Sequence, residues 1–233
     1  MPGENKERPI LFNTEMVNAI LSGRKTQTRR IMKVQPQVTE QRLRELDAWQ
    51  DGFSISQQVN AAFQSGFIDV KYPQGQPGDQ LWVRETWQGP LVPYNEAYEM
   101  FQNPEPYQKV ENCVYRADGG PCPEFTDADD DLRQGWRPSI HMPRWASRIS
   151  LLITGIRVER LNDVCEESAK AEGAQQYDIS RLTTDEINLL DAPLKNPDTP
   201  YTNGFALLWE SCYGSGSWAA NPWVWVIDFE KIN

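Results

Sequence analysis

The closing stretch "PWVWVIDF", Pro222 to Phe229, constrains this chain more than any other. It is apolar on both faces through Val226, and a strand with two apolar faces reads as a central or barrel-closing member of a sheet. The 233 residues are enough for one elaborated domain, or a domain with large insertions, built around such a strand. Nine tryptophans and 39% hydrophobic residues fit a compact globule with a large aromatic content and exclude a disordered chain.

Apolar periodicity concentrates in four blocks, 9–32, 77–88, 139–173 and 205–231, separated by insertions at 34–76, 89–135 and 175–203. In the first block Met16, Val17, Ile20 and Leu21 fall on one helical face, Asn13 or Thr14 can cap the start, and Gly23 stands at the C′ position. "KTQTRRIM" then changes to alternating residues and reads as a strand. In "QPGDQLWVRETW" a Pro-Gly-Asp turn feeds a strand with Leu81 and Val83 on one face, Trp82 and Arg84 on the other. The third block runs from "SIHMPRWASRI" into "ISLLITGIRVERL", where Ile149, Leu151 and Ile153 alternate and Gly155 marks a bulge or bend. A helix is expected from Asn162 or Asp163, with Glu166 completing a capping-box-like start and Gly173 ending it. Phe205, Leu208, Trp209 and Cys212 suit a short helix before the terminal strand. The 34–76 insertion has room for one amphipathic helix around Leu43, Leu46 and Trp49. The other two read as loops, with the acidic run Asp127 to Asp131 solvated. The fold class is α+β.

Charge narrows the partners. At a formal net charge of -10 the whole-molecule field repels polyanions, so a nucleic-acid partner needs a local basic patch, or else the substrate is small. The candidate patch is "ILSGRKTQTRR", Ile20 to Arg30, which gathers Arg24, Lys25, Arg29 and Arg30. The four cysteines form no CxxC pair and His141 is the single histidine, so a zinc site has little to build on; reduced, mostly buried thiols are expected. No apolar run approaches a membrane span, and the start "MPGENKERP" lacks the apolar core of a leader, which points to a cytoplasmic protein with no membrane partner.

The stretches "GRKTQTRR", "GDQLWVRETW", "RPSIHMPRWASRI" and "NPWVWVIDF", taken in order, resemble the ASCH family of PUA-like small β-barrels, and are similar to its enlarged phage and prophage members. The likeness is to blocks that span about half the chain. It implies a barrel with flanking helices and long insertions, whose cleft binds a small nucleoside or nucleotide, or RNA. One bacterial branch of the family hydrolyses acetylcytidine at the amide on the exocyclic amine, without metal or cofactor; carried over, its catalytic residues would be Lys25, Thr28 and Glu172. The alternatives within the family are a non-catalytic binder of RNA or modified nucleic acid, and a ribonuclease. That branch is a bare barrel, whereas here the three insertions could cover or rebuild the cleft. Oligomeric state stays open.

Elementary chemistry frames those roles. A threonine hydroxyl is a poor nucleophile alone, and Lys25 could take its proton if burial and the neighbouring cations disfavour the ammonium form. Glu172 falls in the last turn of its predicted helix, where the macrodipole opposes a carboxylate. Residues three apart in a regular strand point to opposite faces, so Lys25 and Thr28 share a site only if the chain turns a corner between Gly23 and Thr26. Arg24, Arg29 and Arg30 could clamp phosphate or carboxylate, or pair with the protein's own acidic surplus. Trp82, Trp87 and Trp145 lie near Arg84, Arg144 and Arg148, an association suited to stacking a base while holding its phosphate; Trp82, Arg84 and Trp145 are the ligand-binding candidates. Trp209, Trp223 and Trp225 read as core, His141 as a structural hydrogen bonder, and Glu85 as a weaker candidate.

Overall fold

The structure is a computed structural model and describes residues 6–67, 70–127, 129, 131–180, 182–183 and 196–232. The first five residues of the polar start and part of the 175–203 insertion lie outside the described residues. Helices and strands alternate without a repeating βαβ pattern, and five strands, β1 (Glu7–Leu11), β2 (Gln27–Ile31), β3 (Gln80–Arg84), β8 (Ser150–Arg160) and β9 (Trp223–Ile232), follow the mixed hydrogen-bonded order β1-β3-β8-β9-β2, so the chain is α+β. It divides into two compact units: residues 1–23, 78–152 and 230–233 make the first, and residues 24–77 and 153–229 the second. No described helix is long and apolar enough to cross a membrane.

In the first unit, β1 (Glu7–Leu11) lies parallel to β3 (Gln80–Arg84), and β3 pairs antiparallel with the opening residues of β8 (Ser150–Arg160). Between β1 and β3 in sequence, α1 (Thr14–Leu21) starts where Asn13 accepts a hydrogen bond from Met16 N at 2.8 Å, and it ends before Gly23, whose φ of 75° is the left-handed conformation of a helix C′ residue. Val17, Ala19 and Ile20 are buried, but Leu21 is 39% exposed, because the stripe has rotated past it at the helix end. Leu81 and Val83 are buried as expected, and Trp82 on the opposite face is buried too.

The 89–135 insertion is more ordered than its prolines suggest. It holds α4 (Tyr94–Gln102), β5 (Val114–Tyr115), which pairs with β4 (Trp87–Gln88) just before the insertion, and a hairpin of β6 (Glu124–Thr126) with β7 (Leu132–Gln134). Asp127 is the structural reason for the acidic turn: Oδ1 accepts from the backbone N of Asp129 and Asp131, and Oδ2 pairs with Arg133 at 2.7 Å. Trp87, Tyr115, Met142 and Ala146 form a small core beside it.

In the second unit, β2 (Gln27–Ile31) pairs antiparallel with β9 (Trp223–Ile232). Residues 223–227 are buried on both faces. Val224 and Val226 meet Phe205 and Trp209 of α6 (Pro200–Tyr213) on one side. On the other, Trp225 packs against Phe63 at a ring distance of 5.3 Å and Tyr72 at 5.8 Å. Phe63 belongs to α3 (Ile55–Gln64), whose Ser54/Gln57 capping box is a signal the sequence reading passed over; the expected helix around Leu43 is the short, unburied α2 (Glu40–Glu45).

Gly155 lies within β8, and an added Cβ would come within 3.2 Å of Asp228 Oδ2, so close approach is what the position requires. Three further expectations change. The helix expected from residue 162 begins instead at Glu166 as α5 (Glu166–Ala171), after a 3₁₀ turn at Leu161–Asp163. Glu166 caps a different helix, its carboxylate accepting from Tyr201 N at 3.1 Å and Thr202 N at 2.7 Å at the start of α6. The cysteines are free but not mostly buried: Cys165 precedes α5 and Cys212 lies on the solvent side of α6, both exposed.

Burial pushes the Tyr72 phenol up to about 12. The folded state therefore keeps this proton through a range in which the unfolded chain, near pH 10, has lost it. The resulting stability is present below about pH 10 and disappears as pH rises through about 12. Tyr72→Phe is expected to remove one late step, near pH 12, from the near-ultraviolet phenolate titration; loss of a step near pH 10 instead would show that the phenol is solvated.

Candidate active site

Beyond Gly23 the chain does not enter β2 at once. Lys25 makes an isolated antiparallel bridge with Glu172, Thr26 N donates to Ala171 O at 2.8 Å, and β2 begins only at Gln27. The chain therefore turns a corner between Gly23 and Thr26. It delivers the Lys25 ammonium to the end of α5, where Nζ donates to Glu172 Oε2 at 2.8 Å, Glu172 O at 2.8 Å and Gln27 O at 2.7 Å. An ammonium has three donors, and all three are used. Arg24 adds a bond from Nη1 to Gly173 O at 3.4 Å, so two cations meet the terminal carbonyls of α5, where the peptide dipoles favour positive charge.

Glu172 is shared. Its Oε1 accepts from Arg29 Nη1 at 3.1 Å, and Arg29 Nη2 reaches Glu159 at 3.0 Å. Glu159 pairs with Arg157 at 2.5 Å, and Arg157 with Asp228 at 2.7 Å. Gln27 closes a ring, donating to Asp228 Oδ1 and accepting from Arg29 Nη1 on Oε1. Three cations thus alternate with three carboxylates, which offsets a desolvation cost of several kcal/mol per buried ion. Solvent access is graded: the Lys25 and Arg29 side chains are fully enclosed, whereas those of Arg157 and Asp228 are 25% and 37% exposed. Burial draws the Lys25 amine down from the ordinary lysine range; the Glu172 carboxylate opposes that shift, and Arg30 and Arg29 reinforce it.

Thr28 is also buried, but period-two alternation and the β2–β9 register set it on the other face of the strand. Gln27 and Arg29 face the ring with Asp228, while Thr28 and Arg30 lie opposite Ile227 and Trp225. Lys25, Glu172 and Arg29 are therefore brought together. Thr28, the residue after Gln27 whose carbonyl holds the amine, is not brought to that pair and stands on the opposite face of β2. The sequence reading missed Gln27, Arg157, Glu159 and Asp228. The signals were there: two charged residues two apart in an apolar strand, and one carboxylate in "VIDF".

The remaining ligand-binding candidates belong to the first unit and are engaged within it. The Trp82 ring lies 4.8 Å from the Arg84 guanidinium and 6.0 Å from that of Arg144. Arg84 donates to Ile140 O at 3.2 Å, and Arg144 binds Glu7 through two nitrogens. Trp145 packs edge-on against Trp87 at 5.5 Å. Glu85 is buried in a two-bond pair with Arg148, which lies 4.0 Å over Tyr115; burial pushes its carboxyl up, against the pull of the arginine. His141 is exposed in a single 3₁₀ turn.

No protein-family model, curated protein or solved structure matches this chain.

Proposed function

We propose that the second unit carries a metal-independent hydrolase site for a small acylated nucleoside or nucleotide with a cytidine-like amide, and with it the ASCH kinship and PUA-like barrel that the sequence blocks resemble. The observation that carries this reading is the enclosed 2.8 Å contact between Lys25 Nζ and Glu172 Oε2, made by residues 147 apart at the corner before β2. Burial disfavours the Lys25 ammonium, and a proton passed along that hydrogen bond leaves an amine beside an acid. These are the base and the acid that amide hydrolysis needs.

In the first half-reaction Lys25 accepts the Thr28 hydroxyl proton as Oγ bonds to the acyl carbon. Glu172 gives its proton to the departing exocyclic amine as the C–N bond breaks. Water then attacks the acyl-threonine ester, one proton passing to Glu172 and the Lys25 proton returning to Thr28 Oγ, so that acid and amine are the net products. The amine must leave Gln27 O and the Thr28 hydroxyl, set on the other face of β2 by its register, must turn to meet it; a covering segment must also move to admit substrate, because Lys25 is enclosed. The acidic net charge favours a small substrate over a polynucleotide.

The test uses N4-acetylcytidine with cytidine release as the readout. Thr28→Val keeps the shape and removes the hydroxyl; it is expected to lower kcat/KM by about a hundredfold or more, while Thr28→Ser retains part of it. A folded wild type that releases no cytidine, or a Thr28→Val variant as fast as wild type, overturns the reading. Salt-sensitive RNA association without turnover would select the binding alternative, and RNA cleavage that persists in Thr28→Val would select the nuclease.

A further inference from the structure

In the first unit a cavity of about 570 Å³ is walled by α4, the segment after β4 and the β6–β7 hairpin. That volume lies in the range of small-molecule sites. Tyr94, Ala97 and Phe101, at helical spacing on α4, line it with Met100, Phe125 and Leu132. Tyr94, Phe101 and Leu132 remain 72%, 41% and 71% exposed, so this aromatic wall is left open.

One end of the cavity is polar. Gln88 lines it and is only 2% exposed. Its amide orientation is fixed because Oε1 accepts from Gly89 N at 3.3 Å, and its Nε2 donates to no described residue. A backbone bridge sets Arg137 beside this strand, with Trp87 N to Arg137 O at 3.2 Å and Arg137 N to Trp87 O at 2.8 Å. The Arg137 guanidinium lies 5.5 Å over the Trp87 ring and makes no ion pair with a described residue. The buried Gln88 amide thus offers the chamber a donor without a described protein acceptor, and the exposed Arg137 guanidinium adds a second donor at its solvent side.

The surroundings decide the charge of that ligand. Residues 89–135 contain ten Asp or Glu against three Lys or Arg, so this segment holds seven of the ten net negative charges of the chain. Glu124 and Asp127 themselves line the cavity, Asp127 already paired with Arg133. Such a field works against an anion, although the donors invite an acceptor.

We propose that this cavity binds an uncharged aromatic small molecule bearing a carbonyl acceptor, of the amide, lactam or imide class. The carbonyl oxygen accepts from Gln88 Nε2 and Arg137, and the ring system lies against Met100, Phe101 and Phe125. This site is separate from the Lys25–Glu172 pair and does not rest on the hydrolase reading.

Three ligands of one size test it on the full-length chain at low salt: 2-naphthamide, 2-naphthoate and 2-naphthylmethylammonium, read by the methyl NMR signal of Met100. The amide is expected to shift that signal and to bind about tenfold tighter than the carboxylate. Gln88→Leu is expected to weaken the amide about three- to tenfold, the loss of one hydrogen bond. Phe101→Ser, at a half-exposed position that folding tolerates, is expected to weaken it as well. The proposal is overturned if the carboxylate or the ammonium binds as tightly as the amide, if Phe101→Ser leaves amide affinity unchanged, or if none of the three shifts Met100.

Discussion

Glu172→Gln is expected to lower the unfolding free energy by about 3–5 kcal/mol, the cost of stranding buried charge by removing one partner. Glu172 is bonded to both Lys25 and Arg29, and both cationic side chains are fully enclosed. Glutamine keeps the shape and an acceptor oxygen but leaves the ammonium without a counter-charge. Denaturant unfolding of wild type, Glu172→Gln, Lys25→Met and the double variant measures this directly. The double variant is expected to lose less than the two single losses combined, because Lys25→Met removes the charge that Glu172→Gln strands, while Arg29 keeps Glu159. A Glu172→Gln protein within about 0.5 kcal/mol of wild type would mean that water reaches the pair. This outcome is independent of any catalysis, so it tests the site as a structure before it is tested as an enzyme.

Gly204→Ala is expected to be as severe, and its sign runs against helix propensity. Replacing a glycine inside a helix with alanine ordinarily gains about 1 kcal/mol. Gly204 lies within α6, but a Cβ there would fall 1.7 Å from Gln175 O and 3.0 Å from Gln175 C. The obstacle is backbone, which cannot rotate aside as a side chain can. Tyr177 N, two residues on, is bonded to Pro200 O at 2.9 Å, so the segment is tied to the start of the same helix. Either α6 must retreat from the face where Phe205 and Trp209 pack, or this bond must break. The cost is expected to reach about 3 kcal/mol or more, above ordinary overpacking, and to lower Tm by roughly 6–12 °C. A thermal melt unchanged from wild type would show that residues 175–177 do not lie against the helix.

The ring illustrates why only part of a site can be read from a chain. Lys25 and Glu172 were nameable through the family that the sequence blocks resemble, which implies catalytic residues in the cationic run after the first helix and at the end of the later one. Arg29 was nameable for its charge, as a clamp on a ligand or as a partner of the protein's own acids, and only the structure shows that it turns inward between two glutamates. Glu166 shows the same limit, since its local spacing suits a cap on its own helix while its carboxylate serves the start of α6.

Periodicity and turn chemistry fixed the local elements, because those depend on neighbours within one or two turns of chain: α1 with its Asn13 cap, β3 between Gln80 and Arg84, and the two-faced burial of β9. Tertiary structure alone decided which charges meet, since Lys25, Glu172, Glu159 and Asp228 come from segments far apart in sequence whose encounter is set by strand register and by where a helix ends. It also decided that the proline-rich insertion encloses a cavity, because residues 88 to 137 acquire a common interior only once α4 and the hairpin fold against β4. Local pattern follows from short-range sterics, whereas the pairing of distant charges follows from the burial free energy of a whole unit, to which no single stretch of sequence gives access.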